Sequence, residues 1–185
     1  MADRYEIRLS GSGGQGLILA GRILAEAVAI YEDRNAVQTQ SYGPEARGGA
    51  SKAEVVISDG EIDYPKAVSL DLLLSLTQVS CTRYITDLKK GGILIIDSGT
   101  IKDVPEGDFK IYSAPIADIA IQSVGKAVVT NIVALGILTK ISGVVKEQSV
   151  RDAILARVPK GTEELNMKAF DEGLRVGGEL LESQG

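Results

Sequence analysis

Gly11-Ser12-Gly13-Gly14-Gln15-Gly16 is the stretch whose residue types and spacing best suit chemistry. Glycines admit backbone conformations closed to other residues, so such a turn brings main-chain N–H groups close to a ligand. The residues before it, Tyr5 to Ser10, read as extended, and those after it, Leu17 to Tyr31, as helical. A strand, a glycine turn and a helix start make an anion site, because the first N–H groups of a helix have no partner within it. The pattern says phosphate without saying which phosphate. Its plainer reading is a tight turn that only packs helix against strand. Gly11, Gly13 and Gly16 also match G-x-G-x-x-G. A dinucleotide site would want an acidic residue at the end of the second strand, for the ribose hydroxyls. Here that place reads Gln40-Ser41-Tyr42, which argues against NAD.

Pro44-Glu45-Ala46-Arg47-Gly48-Gly49 is a second candidate. Ligands of open α/β sheets lie beyond the carboxyl ends of the strands, and this loop is expected to emerge there, beside the glycine turn. Arg47 then offers a fixed, bidentate cation for phosphate or carboxylate. Composition alone leans towards a solvated surface arginine. Asp97 and Ser98 end a strand at the same edge and read as turn residues. Thr130 or Asn131 reads as a helix cap. Cys81 reads as a small buried side chain rather than a nucleophile.

What the chain lacks narrows its chemistry further. Histidine is absent and Cys81 is the single cysteine. Every Ser-His or Cys-His nucleophile pair within the chain is excluded, as is any disulfide, zinc or iron–sulfur site built from this chain alone. No carboxylates have metal-ligand spacing. The net charge is −5 and no basic cluster exceeds Lys89-Lys90, which argues against nucleic acid. No apolar run suits a bilayer span, and Met1-Ala-Asp-Arg lacks a signal-peptide core. The expected location is the cytoplasm, with no membrane contact.

These candidates need elements to position them. Hydrophobic residues are 44% of the 185 but aromatics only 4%, so the core must come from Val, Ile, Leu and Ala. That suits a parallel sheet covered by helices. Strands are expected at 5–10, 36–41, 52–58, 70–76, 93–96 and 109–113. Helices are expected at 17–31, 78–89, 116–124, 130–141, 147–157 and 163–181. No linker or repeat interrupts them. The expectation is a single domain over 1–185: an α/β fold in three α/β/α layers, with a mostly parallel Rossmann-like sheet and a helical C-terminal third. Tyr5 to Ser10 alternates apolar and polar residues. Glu6 and Arg8 therefore suggest one sheet face thinly covered, or covered by a partner.

Two segments go beyond generic physics. Ile7-Arg-Leu-Ser-Gly-Ser-Gly-Gly-Gln-Gly16 and Gln40-Ser-Tyr-Gly-Pro-Glu-Ala-Arg-Gly-Gly-Ala-Ser-Lys-Ala-Glu-Val-Val-Ile-Ser58 resemble the γ subunit of 2-oxoacid:ferredoxin oxidoreductases, most of all the 2-oxoglutarate branch. Thr130-Asn-Ile-Val-Ala-Leu-Gly136 resembles a third block, and the likeness runs from about residue 5 to residue 180. The resemblance implies one subunit of an enzyme that oxidatively decarboxylates a 2-oxoacid to an acyl-CoA, here 2-oxoglutarate to succinyl-CoA. It implies electron transfer to ferredoxin or another low-potential acceptor. It places thiamine diphosphate and Mg²⁺ on partner α and β subunits. Iron–sulfur clusters fall on β and on a ferredoxin-like δ subunit where one is present. It places this chain near the coenzyme A site, and with the glycine turn the reading is a part in binding coenzyme A and in assembly, while its own residues offer no acid, base or nucleophile for catalysis. Gly11, Ser12, Gly13, Gly14, Gln15, Gly16 and Arg47 are the residues expected to touch CoA phosphates or the adjacent interface. The alternatives are a γ subunit for pyruvate, a branched-chain 2-oxoacid or indolepyruvate, a stand-alone dinucleotide-binding protein, and a scaffold whose glycine loop only meets a partner.

Overall fold

A computed structural model describes residues 4–41 and 50–184. β1 (Arg4–Ser12) runs into the glycine turn and α1 (Leu17–Tyr31) leaves it. β2 (Asn35–Gln40) and β3 (Ala50–Ser58) follow, then β4 (Leu70–Ser75), α2 (Gln78–Tyr84), β5 (Leu88–Asp97) and β6 (Phe109–Ala114). The last part is helical: α3 (Ile116–Ile119), α4 (Thr130–Ser142), α5 (Glu147–Arg157) and α6 (Glu163–Glu182). The strands form one sheet in the order β2-β3-β1-β4-β5-β6. β3 is antiparallel to both neighbours, and the pairs β1–β4, β4–β5 and β5–β6 are parallel.

The two faces are covered unequally. Ile7 and Leu9 of β1, Val55 and Ile57 of β3 and Leu72 and Leu74 of β4 join the larger core, shared with α1 and the C-terminal helices. α4 is buried on nearly every side, as a run apolar all round must be. It crosses α6 backbone to backbone: a Cβ on Gly136 would meet Phe170 O at 2.5 Å, and one on Gly173 would meet Val133 O at 2.2 Å. Among the described residues the other face carries α2 and adjoining loops. Its smaller core gathers Val56, Leu73, Leu94 and Ile96 with Cys81 and Tyr84.

That thinner layer meets the first of the two expectations for β1. Glu6, Arg8 and Ser10 are all buried, by this chain itself rather than by a partner. Arg8 Nε donates to Glu54 Oε1 at 2.9 Å and its Nη2 donates to Ala67 O at 3.2 Å, while Nη1 pairs with Asp87. The guanidinium also lies 4.9 Å from the centre of the Tyr84 ring. Glu54 accepts a further bond from Lys52 Nζ at 2.7 Å. Glu6 accepts from Arg4 and from the main-chain N–H groups of Val68 and Ser69. Alternation here marks a polar layer satisfied inside the fold.

Two further expectations shift. The helix expected over 78–89 stops at Tyr84, passes through a 3₁₀ turn at Ile85–Asp87, and residues 88–90 already belong to β5. Tertiary contacts override helix propensity here. Leu88 packs on the smaller core and Lys89 Nζ pairs with Asp71 of β4 at 2.8 Å. Gly91-Gly92, expected to stop a helix, lies at a register irregularity of β5, where β4 partners jump from Leu88 to Ile93. The helix expected over 116–124 is α-helical for one turn and then widens to a π turn over Ala120–Val124.

Glu54 and Glu6 set the acid limit of this face. Burial pushes the Glu54 carboxyl up, but Lys52 and Arg8 more than offset it, leaving it below the ordinary carboxylate value. Burial also pushes Glu6 up, and Arg4 with the two N–H groups brings it below that value. Both pKa values fall on folding, so their stabilisation is present above about pH 4.3 and is lost as pH drops through the folded values. Urea unfolding should show stability declining only below that point. Arg8→Met leaves Lys52 as the remaining cation on Glu54 and should cost about 1.5–3 kcal/mol at pH 7. Arg175→Ala, at an exposed pair, should cost about 1 kcal/mol or less.

Candidate functional site

The carboxyl ends of β1, β4, β5 and β6 share one edge, and the chain does four different things there. After β1 it makes the glycine turn. Gly14 and Gly16 have φ of 87° and 72°, in the left-handed region. Gly16 is the residue before α1, and its carbonyl accepts from Ala20 N at 3.1 Å. The N–H groups of Leu17, Ile18 and Leu19 have no acceptor within the helix by their position. No side chain among the described residues caps them, and the first turn holds no acid. A cleft of about 270 Å³ opens beside them, lined by Ser12, Gly14, Gln15, Gly16, Leu17, Ile18 and Ser51.

Side chains hold the turn. Gln15 folds back so that its Oε1 accepts from Ser12 N at 2.7 Å. Gly11 leaves the room for this, since a Cβ there would lie 2.2 Å from that oxygen. The second support comes from α4. Asn131 Nδ2 donates to Gly16 O at 3.0 Å. A Cβ on Gly16 would lie 2.6 Å from the same Nδ2. Asn131 is the second residue of α4, beyond the cap position at Val129, and does not cap its own helix, contrary to the sequence-based expectation. Thr130 does not cap it either, because its Oγ1 donates to Ala127 O at 2.7 Å and the preceding Val129 gives no side-chain cap.

The other candidates at this edge are structural. Asp97 is buried, with Oδ1 accepting from Gly99 N at 2.8 Å and Oδ2 from Ala117 N at 3.2 Å. It closes its own turn and holds the start of α3. Thr77 caps α2 by accepting from Ser80 N. Burial pushes the Cys81 thiol up, a shift its bond with Ser75 only partly reverses. That disfavours the thiolate a nucleophile needs. Arg47 lies outside the described residues. The flanking residues Ser41 and Ala50 can be placed: Ala50 pairs with Ser12 at the start of the glycine turn. Ser51 and Ile18 line the cleft without having been singled out in the sequence. Ser51 lies inside the second family-like block, and its place at the cleft depends on β3 returning beside β1.

A larger groove, about 570 Å³, runs between α1 and the free edge of β2. The ion pair of Arg157 with Glu26 borders it. It lies along α1 away from the uncapped turn. Among the described residues no group of three or more His, Cys, Asp or Glu could hold a metal. No described helix is long and apolar enough to cross a membrane.

A family model for pyruvate ferredoxin/flavodoxin oxidoreductase matches residues 6–176. The chain belongs to this family. Among ferredoxin oxidoreductases of this kind it matches γ-type chains along its length. It is 51% identical over 179 residues to 2-oxoglutarate synthase subunit KorC of Methanocaldococcus jannaschii, covering 96% of each chain. The solved γ subunit of a keto/oxoacid ferredoxin oxidoreductase from Geobacter sulfurreducens matches at 50% identity and a TM-score of 0.87, over 95% of this chain and 99% of that one. A 2-oxoglutarate:ferredoxin oxidoreductase from Magnetococcus marinus, solved with 2-oxoglutarate, coenzyme A and succinyl-CoA bound, shares the fold at 21% identity and a TM-score of 0.82. That match covers 95% of this chain and 31% of the longer one. The expected α/β fold and γ-subunit recognition are thus met.

Gly16 is where strain and contact coincide. Gly16→Ala meets both the left-handed φ and Asn131, and should cost about 2–3 kcal/mol. Gly14→Ala has open space around its Cβ and meets only the φ, so it should cost about 1 kcal/mol. Thermal melts of the two variants should rank in that order.

Proposed function

We propose that this chain is the γ subunit of a 2-oxoglutarate:ferredoxin oxidoreductase, and that its glycine cleft holds the phosphates of coenzyme A. The observation that carries the site is the uncapped first turn of α1 opening onto the cleft beside Gly14 and Gly16. Oriented main-chain N–H groups and the positive end of the helix dipole favour an anion there. The names of relatives 48–51% identical, all 2-oxoglutarate synthase subunits, support the substrate. The coenzyme A in the Magnetococcus marinus enzyme supports the ligand.

The chain's own part in this reading is to bind and orient. About 270 Å³ suits a pyrophosphate and not a whole CoA, so the rest of the ligand meets other surfaces. Arg47 enters the chain between two residues of this edge, Ser41 and Ala50, and supplies positive charge or braces the loop against a partner. Bound CoA supplies the thiol that takes up the acyl group. Thiamine diphosphate, Mg²⁺ and the iron–sulfur clusters belong to α, β and, where present, δ subunits. The residues of this chain do not fit them: the single cysteine is buried and histidine is absent. Electrons leave the complex for ferredoxin or another low-potential acceptor. One sheet running through the described residues supports reading 1–185 as a single domain. A cytoplasmic setting is part of the same proposal.

The dinucleotide alternative is disfavoured by geometry. β2 ends in Thr39-Gln40, with no carboxylate for a ribose, and lies two strands from β1 rather than beside it.

Ile18→Glu tests the site. A carboxylate in the first turn suits the helix dipole and should leave folding intact. It should repel phosphate and raise the KM for CoA about ten-fold or more in the assembled complex. The KM for 2-oxoglutarate should stay unchanged. Arg47→Glu should likewise weaken acyl-CoA formation more than CoA-independent decarboxylation of the 2-oxoacid. Equal loss of both in either variant would favour a purely structural loop.

A further inference from the structure

The glycine turn is held from two sides, and only Gln15 is local. Asn131 reaches it from 115 residues further along the chain. It is buried at the start of α4, the helix seated by the tight Gly136–Gly173 crossing with α6. Asparagine at a helix start ordinarily caps its own helix. Here Asn131 sits one residue inside α4, past its cap position, and its Nδ2 donates to another element.

We infer that Asn131 is a positioning residue for coenzyme A, acting through the Gly16–Leu17 peptide. This rests on reading the cleft as the CoA phosphate site. The peptide unit is planar and trans, so the Gly16 carbonyl and the Leu17 N–H point in opposite directions from one rigid plane. Holding the carbonyl at 3.0 Å from Asn131 Nδ2 therefore sets the direction of the Leu17 N–H. That N–H is the first helical donor at the cleft. Without Asn131 the carbonyl keeps only Ala20 N, at 3.1 Å. Gly16, free of a side chain and left-handed, then lets the plane turn. Preorganised donors bind an anion more tightly than donors that must first be oriented.

The test uses the assembled complex. Asn131→Asp keeps the shape, removes the donor and sets a carboxylate against the Gly16 carbonyl. Asn131→Ala removes the donor without adding charge, and stands in if the first variant does not assemble. Equilibrium Kd and steady-state KM for CoA should each rise about five- to ten-fold. KM for 2-oxoglutarate and the rate of CoA-independent decarboxylation should stay within about two-fold of the parent. Lowered melting temperature with an unchanged CoA Kd would overturn the inference and leave Asn131 a packing residue. Ile18→Glu, measured in parallel, separates the two levels. If it weakens CoA binding while the Asn131 variants do not, the positioning role falls and the cleft stands. If it leaves CoA binding unchanged, the cleft reading falls and takes the positioning role with it.

Discussion

β1 and β3 pair antiparallel through nine residues, from Arg4↔Ser58 to Ser12↔Ala50, and the site depends on that register. β1 enters the glycine turn where β3 begins, so the chain returning from 42–49 must re-enter beside the turn. Ser51 reaches the cleft for the same reason. The register also sets Arg8 directly across from Glu54. A slip of one residue would turn Arg8 into the apolar core under α1 and part it from that carboxylate. A buried ion pair is a poor source of net stability but a good specifier of alignment. Here it holds the strand whose far end is the ligand-facing turn.

The same hairpin sets this sheet apart from a dinucleotide-binding fold. β3 is inserted between β1 and β2, which pushes the end of β2 away from the glycine turn. The place where an acidic residue would meet a ribose is carried out of reach. What remains is a site made of main-chain donors. Its electrostatics come from peptide dipoles, within a chain of net charge −5. Such a site binds and orients without reacting, which agrees with the absence of histidine, the buried Cys81 thiol and the commitment of both Asp97 oxygens to N–H groups. On the proposed reading the chemistry of the reaction falls to other chains, and this chain contributes shape and donors.

Much of this was legible in the residues. The glycine turn declared itself through flanking periodicity, and the helices over 17–31 and 147–157 lie where their patterns place them. Runs such as Leu70 to Leu76 and Ile93 to Ile96 were recognisable as buried strands because both faces of a covered sheet are apolar. The polar face of β1 was only half legible, because alternation records polarity and not exposure: apart from Arg4, the partners of Glu6 and Arg8 lie in residues 54 to 87, which no local window contains. Residues 88–90 misled for a similar reason, since the Asp71–Lys89 pair and the contacts of Leu88 decide their state. Asn131 was visible as part of a family-like block but was taken for a local cap. A bond to Gly16 has no signature in the order of residues, only in the packing of α4 against the start of α1.

The central claim is that main-chain N–H groups at the start of α1 hold the phosphates of coenzyme A. Hydrogen–deuterium exchange of the purified complex, with and without saturating CoA, addresses those groups directly. The account predicts that CoA slows exchange at Leu17, Ile18 and Leu19 and leaves the groove along α1 and β2 unchanged. Exchange at those three amides that is indifferent to CoA, in a complex that CoA demonstrably saturates, would contradict it.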